Sequence, residues 1–440
     1  MNVLQWVKAL LGRWARAGRP YGTGLIKWCA LGVAMGLLGG AVGSAFHHCV
    51  DEATALRTAH PWLLAGLPLA GLAIVGLYAL AGYRESHPGT NLVLECGRSG
   101  EPEPLRLAPL IFLSTALTHL CGGSSGREGA ALQLGGSMGS ALGRALHLNR
   151  EDEKTMILTG MSAVFSALFG TPLAAAVFCI EVADVGLLAE ASLLPCLVSA
   201  LTAFWTAGRL AVAPTRFAVT APTLLQPQDA ARVLVLAIGC ALVSQLFCWA
   251  MHTAEHAYRH ALPNHALRTA AGGCLVILAS LLLHAAGQGW VYNGAGVGVI
   301  TAAVEQGTTP SALAFVLKIA LTALTLGAGY KGGEIVPTFF VGATFGCAIG
   351  PLLGLAPGFA AAVGMAACFC GVANCPLASI LLSMELFGGQ GMPLFALAVA
   401  VSFLCSGRCS LYTAQRLAVR KTNEPANRNM KRTVEGMDDD

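Results

Sequence analysis

Glu128 stands in a stretch, Gly122-Gly123-Ser124-Ser125-Gly126-Arg127-Glu128-Gly129-Ala130, that closes one apolar run and opens another. No residue from Ala130 to Leu142 carries a charge. An acid entering such a run sits in the first turn of a helix, where unpaired backbone N–H groups and the positive end of the helix dipole favour negative charge. The same N–H groups would hold a small anion. A carboxylate and an anion competing for one electropositive spot inside a membrane is the chemistry of proton-linked anion transport. Taken alone, Glu128 could equally be a helix N-terminal residue paired with Arg127.

A second acid, Glu334 of Gly332-Gly333-Glu334-Ile335-Val336-Pro337, also opens a long apolar run. A structural cap or an ion pair with Lys331 and a role in transport are both open for it. Tyr412 follows the last apolar run, where an interfacial aromatic is common. His252, His256 and His260 recur every four residues beside Glu255, a spacing that could bind a metal. They follow a span and precede Pro263, so a polar helix end is the better reading, and no metal or other cofactor is expected. A membrane-embedded enzyme using Glu128 and these histidines is the rival from another class. It lacks a His-Glu-x-x-His helix and a Gly-x-Ser-x-Gly elbow.

The elements that must position these residues are membrane helices. Of the 440 residues 55% are hydrophobic and 11% charged, against about 25% charged in soluble domains. Apolar runs around Leu25–Phe46, Trp62–Gly82, Met156–Ile180, Val233–Ala250, Ala312–Tyr330 and Met392–Cys405 read as spans. The 53 glycines suit close helix packing, and where they cluster, as at Gly122-Gly123 and Gly332-Gly333, they break helices. Irregular backbone at membrane depth is tolerated where it lines a cavity. The fifteen cysteines lie in apolar stretches and read as small hydrophobes. Nothing in the net charge of +4 points to nucleic acid.

No signal peptide is visible. Basic residues at both ends place both termini in the cytoplasm, which requires an even number of crossings. Residues 1–24, with Trp6, Leu10, Leu11 and Trp14 among basic residues, read as an interfacial helix. Residues 25–213 form a first transmembrane repeat, 214–229 a linker, 230–420 a second repeat with a final helix, and 421–440 a short tail. The repeat is visible directly. Gly160–Glu181 and Gly364–Glu385 share eight identities in 22 positions, among them Pro172-Leu173-Ala174 with Pro376-Leu377-Ala378, and Glu181 with Glu385. Such repeats place broken helix ends near the bilayer midplane. Glu181 and Glu385, one per repeat at a helix end, read as structural.

Gly126-Arg127-Glu128-Gly129, the Gly332–Pro337 stretch, Leu411-Tyr412 and the paired hairpins together resemble the CLC family of chloride channels and anion/proton antiporters, over nearly the whole chain. The resemblance implies an all-α, inverted-repeat membrane fold and a homodimer with one pathway per subunit. It implies that Glu128 gates and carries the proton, and that Tyr412 donates a hydrogen bond to the anion from the cytoplasmic side. Anion-binding positions fall on Gly89, Thr90, Asn91, Arg127, Gly129, Glu334, Ile335, Val336 and Tyr412.

The sequence departs from the chloride members at several positions. His87-Pro88-Gly89-Thr90-Asn91-Leu92 puts Pro88 near their serine, and Ile335 replaces a Phe. Acidic Glu334 stands where they carry a non-acidic residue, and Val182 where many antiporters have a second glutamate. A Gly-Gly-Glu-Val-like motif with Thr-Asn-like residues in the first loop is similar to the fluoride-exporting branch. The expectation is therefore a fluoride/proton antiporter of a bacterial cytoplasmic membrane. A chloride/proton antiporter and a passive chloride channel are the alternatives on the same fold.

Overall fold

The computed structural model describes residues 3–83, 89–220, 226–417 and 421, with side chains from residue 23 to 416 and at 421. Pro88 lies outside this range, as do the side chains of Trp6, Leu10, Leu11 and Trp14. Helices dominate, and a two-residue parallel pairing of Asp184–Val185 with Arg416–Leu417 ties the C-terminal turn to the end of the first half.

The first half comprises α1 (Val3–Ala59), a 3-10 turn at Pro61–Gly66, α2 (Leu67–Leu80), α3 (Thr90–Ser99) and α4 (Leu107–Leu120). It continues with α5 (Glu128–Ala145), α6 (Arg150–Phe169), α7 (Pro172–Glu181) and α8 (Leu193–Arg209). The second half runs α9 (Pro227–Ala261), α10 (His265–Ala285), α11 (Val297–Thr301), α12 (Ala314–Gly327) and α13 (Ile335–Ile349). It ends with α14 (Pro357–Ala373), α15 (Pro376–Phe387) and α16 (Met392–Cys405).

Among the described residues six helical segments are long and apolar enough to cross a bilayer. Others are too short: α7 has 10 residues and α12 has 14, where a crossing takes about 20. They stop inside the protein. The expected span Met156–Ile180 breaks in this way. Gly170 terminates α6 in a left-handed cap (φ +69°) and Pro172 starts α7 without needing an N–H partner. The segment expected at the interface and the first span form one helix, α1.

Helix ends in a low-dielectric interior leave unpaired N–H and C=O groups that cost free energy unless satisfied. Two acids meet that need reciprocally. Glu181, at the end of α7, accepts from Leu377 and Ala378 N–H at the start of α15 (3.0 and 2.8 Å). Glu385, late in α15, accepts from Leu173 and Ala174 N–H at the start of α7 (2.9 and 2.8 Å). Each helix start thus touches the other's end, so α7 and α15 run antiparallel, as equivalent helices of an inverted repeat must. The structural reading of both glutamates follows from these bonds.

The two halves also share their tightest packing. A Cβ on Gly135 of α5 would stand 2.2 Å from the Gly160 carbonyl of α6, and one on Gly342 of α13 would stand 2.4 Å from the Gly364 carbonyl of α14. Backbone-to-backbone contact of this kind admits only glycine.

Candidate functional site

The loops before α5 and α13 meet. Gly126 N–H donates to the Gly333 carbonyl and Gly333 N–H to the Gly126 carbonyl, both at 2.7 Å, a two-residue antiparallel bridge. A Cβ on Gly126 would lie 2.2 Å from Glu128 Oε2, and one on Gly333 would lie 2.6 Å from Glu128 N and 2.8 Å from Oε2. The bridge fixes the register of the repeat: Arg127 corresponds to Glu334 and Glu128 to Ile335.

Glu128 is 1% exposed. Its Oε2 accepts from the Arg127 N–H (3.0 Å) and from the Val336 N–H (3.3 Å). One carboxylate therefore lies over the starts of both α5 and α13, each presenting unpaired N–H groups and the positive end of its dipole. The Arg127 guanidinium turns elsewhere, to Asp51 of α1 (2.5 Å), whose other oxygen meets His47 (3.0 Å). Behind the loop, Ser124 is fixed to α12 through Thr325 Oγ1 (3.1 Å) and Thr322 Oγ1 (3.0 Å). His119 Nε2 donates to the Gly126 carbonyl (3.1 Å).

Two cavities approach this point, and of the described residues none borders both. The larger, about 1320 Å³, is lined by Asp51, Arg57, His119, Arg127, Glu128 and Val336 among others. The smaller, about 640 Å³, is lined by Gly89, Thr90, Asn91, Gln133, Glu334 and Tyr412 among others. The residues expected at one site are thus divided between two chambers, with the Gly126–Gly333 bridge and Gly129 between them. Arg127 faces the first chamber and Glu334, its counterpart by register, faces the second. Ile335 is buried and borders neither chamber.

In the smaller chamber, Thr90 begins α3 and its Oγ1 accepts from Gln133 Nε2 (3.4 Å). A Cβ on Gly129 would lie 2.7 Å from that Oγ1, so α3 reaches the first turn of α5. Asn91 lines the same chamber, and its Oδ1 accepts from the Ala414 N–H (3.1 Å). Arg98 Nη1 donates to the Ala414 carbonyl (2.7 Å). Gln415 Nε2 donates to the carbonyls of Val182 (2.8 Å) and Ala373 (2.7 Å). Asn374 Nδ2 donates to the Cys409 carbonyl (2.9 Å). Together these hold the turn that carries Tyr412, which is 2% exposed. Glu334 is the N-cap of α13, but its side chain makes no capping hydrogen bond. His252 lines the same chamber, while the rings of His256 and His260 stack on each other.

Sequence reasoning passed over several of these groups. Gln133, Asn374 and Gln415 carried no local signal. Lys318 did, as a charge within the span Ala312–Tyr330. It is wholly buried and donates to the carbonyls of Tyr292 (3.0 Å) and Gly294 (2.6 Å).

Inverted helical halves, helices that stop inside the protein, and a buried acid across two helix starts define the inverted-repeat class of multi-pass membrane transport proteins. The chain matches the voltage gated chloride channel family over residues 83–407 and belongs to it. A chloride/fluoride channel protein of Pseudomonas syringae pv. tomato is 36% identical over 411 residues, 92% of this chain and 89% of that one. A solved CLC-type fluoride/proton antiporter is 32% identical, covers 90% of this chain and 98% of its own, and superposes with a TM-score of 0.85. A slow cyanobacterial Cl-/H+ antiporter, 18% identical with a TM-score of 0.69, shares the fold over 86% of this chain and 94% of its own.

Proposed function

We propose that this protein is a proton-coupled antiporter exporting fluoride across the bacterial cytoplasmic membrane. In this reading it is a homodimer with one pathway per subunit, and both termini lie in the cytoplasm. The observation that carries the reading is the Glu128 carboxylate, which accepts from the Val336 N–H of the other half while buried at 1% exposure. The relatives named for fluoride support the choice of ion.

Ionised, Glu128 occupies the N–H groups at the paired helix starts as a resident anion. Protonated, it loses its attraction for those groups and gives them up to the transported anion, so the proton and the anion exchange places at one spot. Helix dipoles and N–H groups attract the anion without a full positive charge, which keeps binding weak enough for release. Gly129, Ile335 and Val336 belong to the first turns that present those groups, and Arg127 lines the first chamber. Gly89, Thr90 and Asn91 with Tyr412 form the inner chamber, where the phenol donates to the anion. Glu334, also facing that chamber, relays protons to the cytoplasm in place of the glutamate that Val182 replaces.

Vesicles containing the reconstituted protein test this directly, with fluoride, chloride and pH electrodes read together. Fluoride efflux with proton movement in the opposite sense is expected, and far exceeds chloride efflux. Equal chloride flux removes the fluoride assignment, and fluoride flux without a pH change leaves a passive channel.

A further inference from the structure

The larger chamber holds a cluster of polar groups that the exchange at Glu128 does not use. Arg57, in the last turn of α1, and His119, in the last turn of α4, both line it. His119 is 1% exposed, and among the described residues its Nδ1 and the Nε of Arg57 are buried without a hydrogen-bond partner. Both side chains converge on one point. A Cβ on Gly294 would lie 3.8 Å from Arg57 Nη2 and 4.0 Å from His119 Nδ1, with no third neighbouring group within 4 Å. Glycine leaves that point open toward the Arg57 guanidinium and toward His119 Nδ1, the second of which has no hydrogen-bond partner among the described residues.

Arg127, Lys318 and Arg57 each act electrostatically on His119, from the loop before α5, from α12 and from α1. Of the acids bordering the chamber, Asp51 is engaged by Arg127 and His47, and Glu128 lies over the helix starts. Lys318 neutralises nothing: its ammonium is spent on the Tyr292 and Gly294 carbonyls, so it pins the loop at Gly294 and adds positive potential there. With Asp51 spent on Arg127 and His47 and Glu128 held at the helix starts, no carboxylate among the described residues pairs with Arg57, and such a half-buried guanidinium favours an anion beside it.

The tautomer of His119 is set by its other nitrogen. Nε2 faces the Gly126 carbonyl, which can only accept, so Nε2 carries a proton. Nδ1 then presents a lone pair in the neutral ring and an N–H only in the charged one. We propose that Arg57 and His119 form an outer anion site against Gly294, filled by a small monovalent anion together with a proton on His119 Nδ1. The proton is delivered by hydronium from the bulk solvent, which returns to water, and the site lies on the same route as Glu128, so it rests on the transport reading above. Occupancy rises as the pH falls, because only the imidazolium can donate.

Bromide, located by its anomalous scattering in crystals of the protein, tests the site. Wild-type crystals soaked in bromide at pH 5.5 are expected to show density beside Gly294 in contact with Arg57 and His119, weaker at pH 8. Arg57→Gln removes it; His119→Gln, which keeps an amide donor for the Gly126 carbonyl, abolishes the pH dependence. In vesicles, each substitution raises the half-saturating fluoride concentration about tenfold, more than it lowers the maximal rate. Bromide at the Glu128 pocket alone, or density beside Gly294 that survives both substitutions, overturns the outer site and leaves the transport reading intact. No bromide at either place, with no anion flux in vesicles, removes both.

Discussion

Gly126 and Gly333 exchange both backbone hydrogen bonds at 2.7 Å, so residues far apart in the chain form one short antiparallel bridge. Glu128 rests against that bridge, with no room for a side chain on either glycine. Gly333→Ala would put a Cβ 2.6 Å from Glu128 N and 2.8 Å from its carboxylate. Overpacking of this kind costs about 1–3 kcal/mol. The expected outcome is at least tenfold slower fluoride efflux from vesicles, with a lowered thermal midpoint in detergent.

Glu128→Gln keeps the volume and cannot exchange a proton. Proton movement is expected to vanish, and whatever anion flux persists loses the acceleration at low pH that protonation of Glu128 supplies. The wild type, by contrast, speeds up as the pH falls, because a protonated Glu128 vacates the helix starts. Simultaneous pH and fluoride recording separates the two behaviours.

Asn91→Ala leaves the Ala414 N–H without its acceptor and loosens the turn that carries Tyr412. One lost hydrogen bond of about 1 kcal/mol corresponds to roughly a fivefold change in an equilibrium constant. Half-saturating fluoride is expected to rise by that order, and Tyr412→Ala should exceed it. Fluoride titrations of the vesicle flux give both values.

Glu181→Ala and Glu385→Ala each orphan two buried N–H groups at the start of the partner helix. At about 1–3 kcal/mol for each unsatisfied donor, both variants are expected to lose several kcal/mol of stability. Detergent-phase melting would show it, and the double variant should lose less than the sum of the two singles, since the sites share α7 and α15.

The acid at the start of α5 was legible because glycine clusters and an uncharged run isolate it, which is a local signal. The repeat was legible through Pro172-Leu173-Ala174 and Glu181 with their second-half counterparts, since both halves need the same helix start and the same cap. The division of the expected site into two chambers was not legible, because it depends on which side of the bridge each residue falls. Asn91 illustrates the limit. Its residue type suggested an anion ligand, and nothing local showed that its carbonyl oxygen also serves a backbone N–H 323 positions away. Likewise, adjacency suggested Glu128 as the partner of Arg127, whereas the fold supplies Asp51 from 76 positions earlier. Lys318 was visible as a charge in a span, but its two carbonyl partners are set by a loop whose path only the tertiary structure defines.

The mutual capping of α7 and α15 bears on how the chain is made. When the N-terminal portion leaves the ribosome, α7 enters the bilayer with two N–H groups that only a later residue, Glu385, can satisfy, and Glu181 waits for helix starts not yet synthesised. Neither portion is a finished membrane protein by itself. The segment between α8 and α9 is the place where the polypeptide could be cut and still reassemble, provided that both pieces are produced in the same cell.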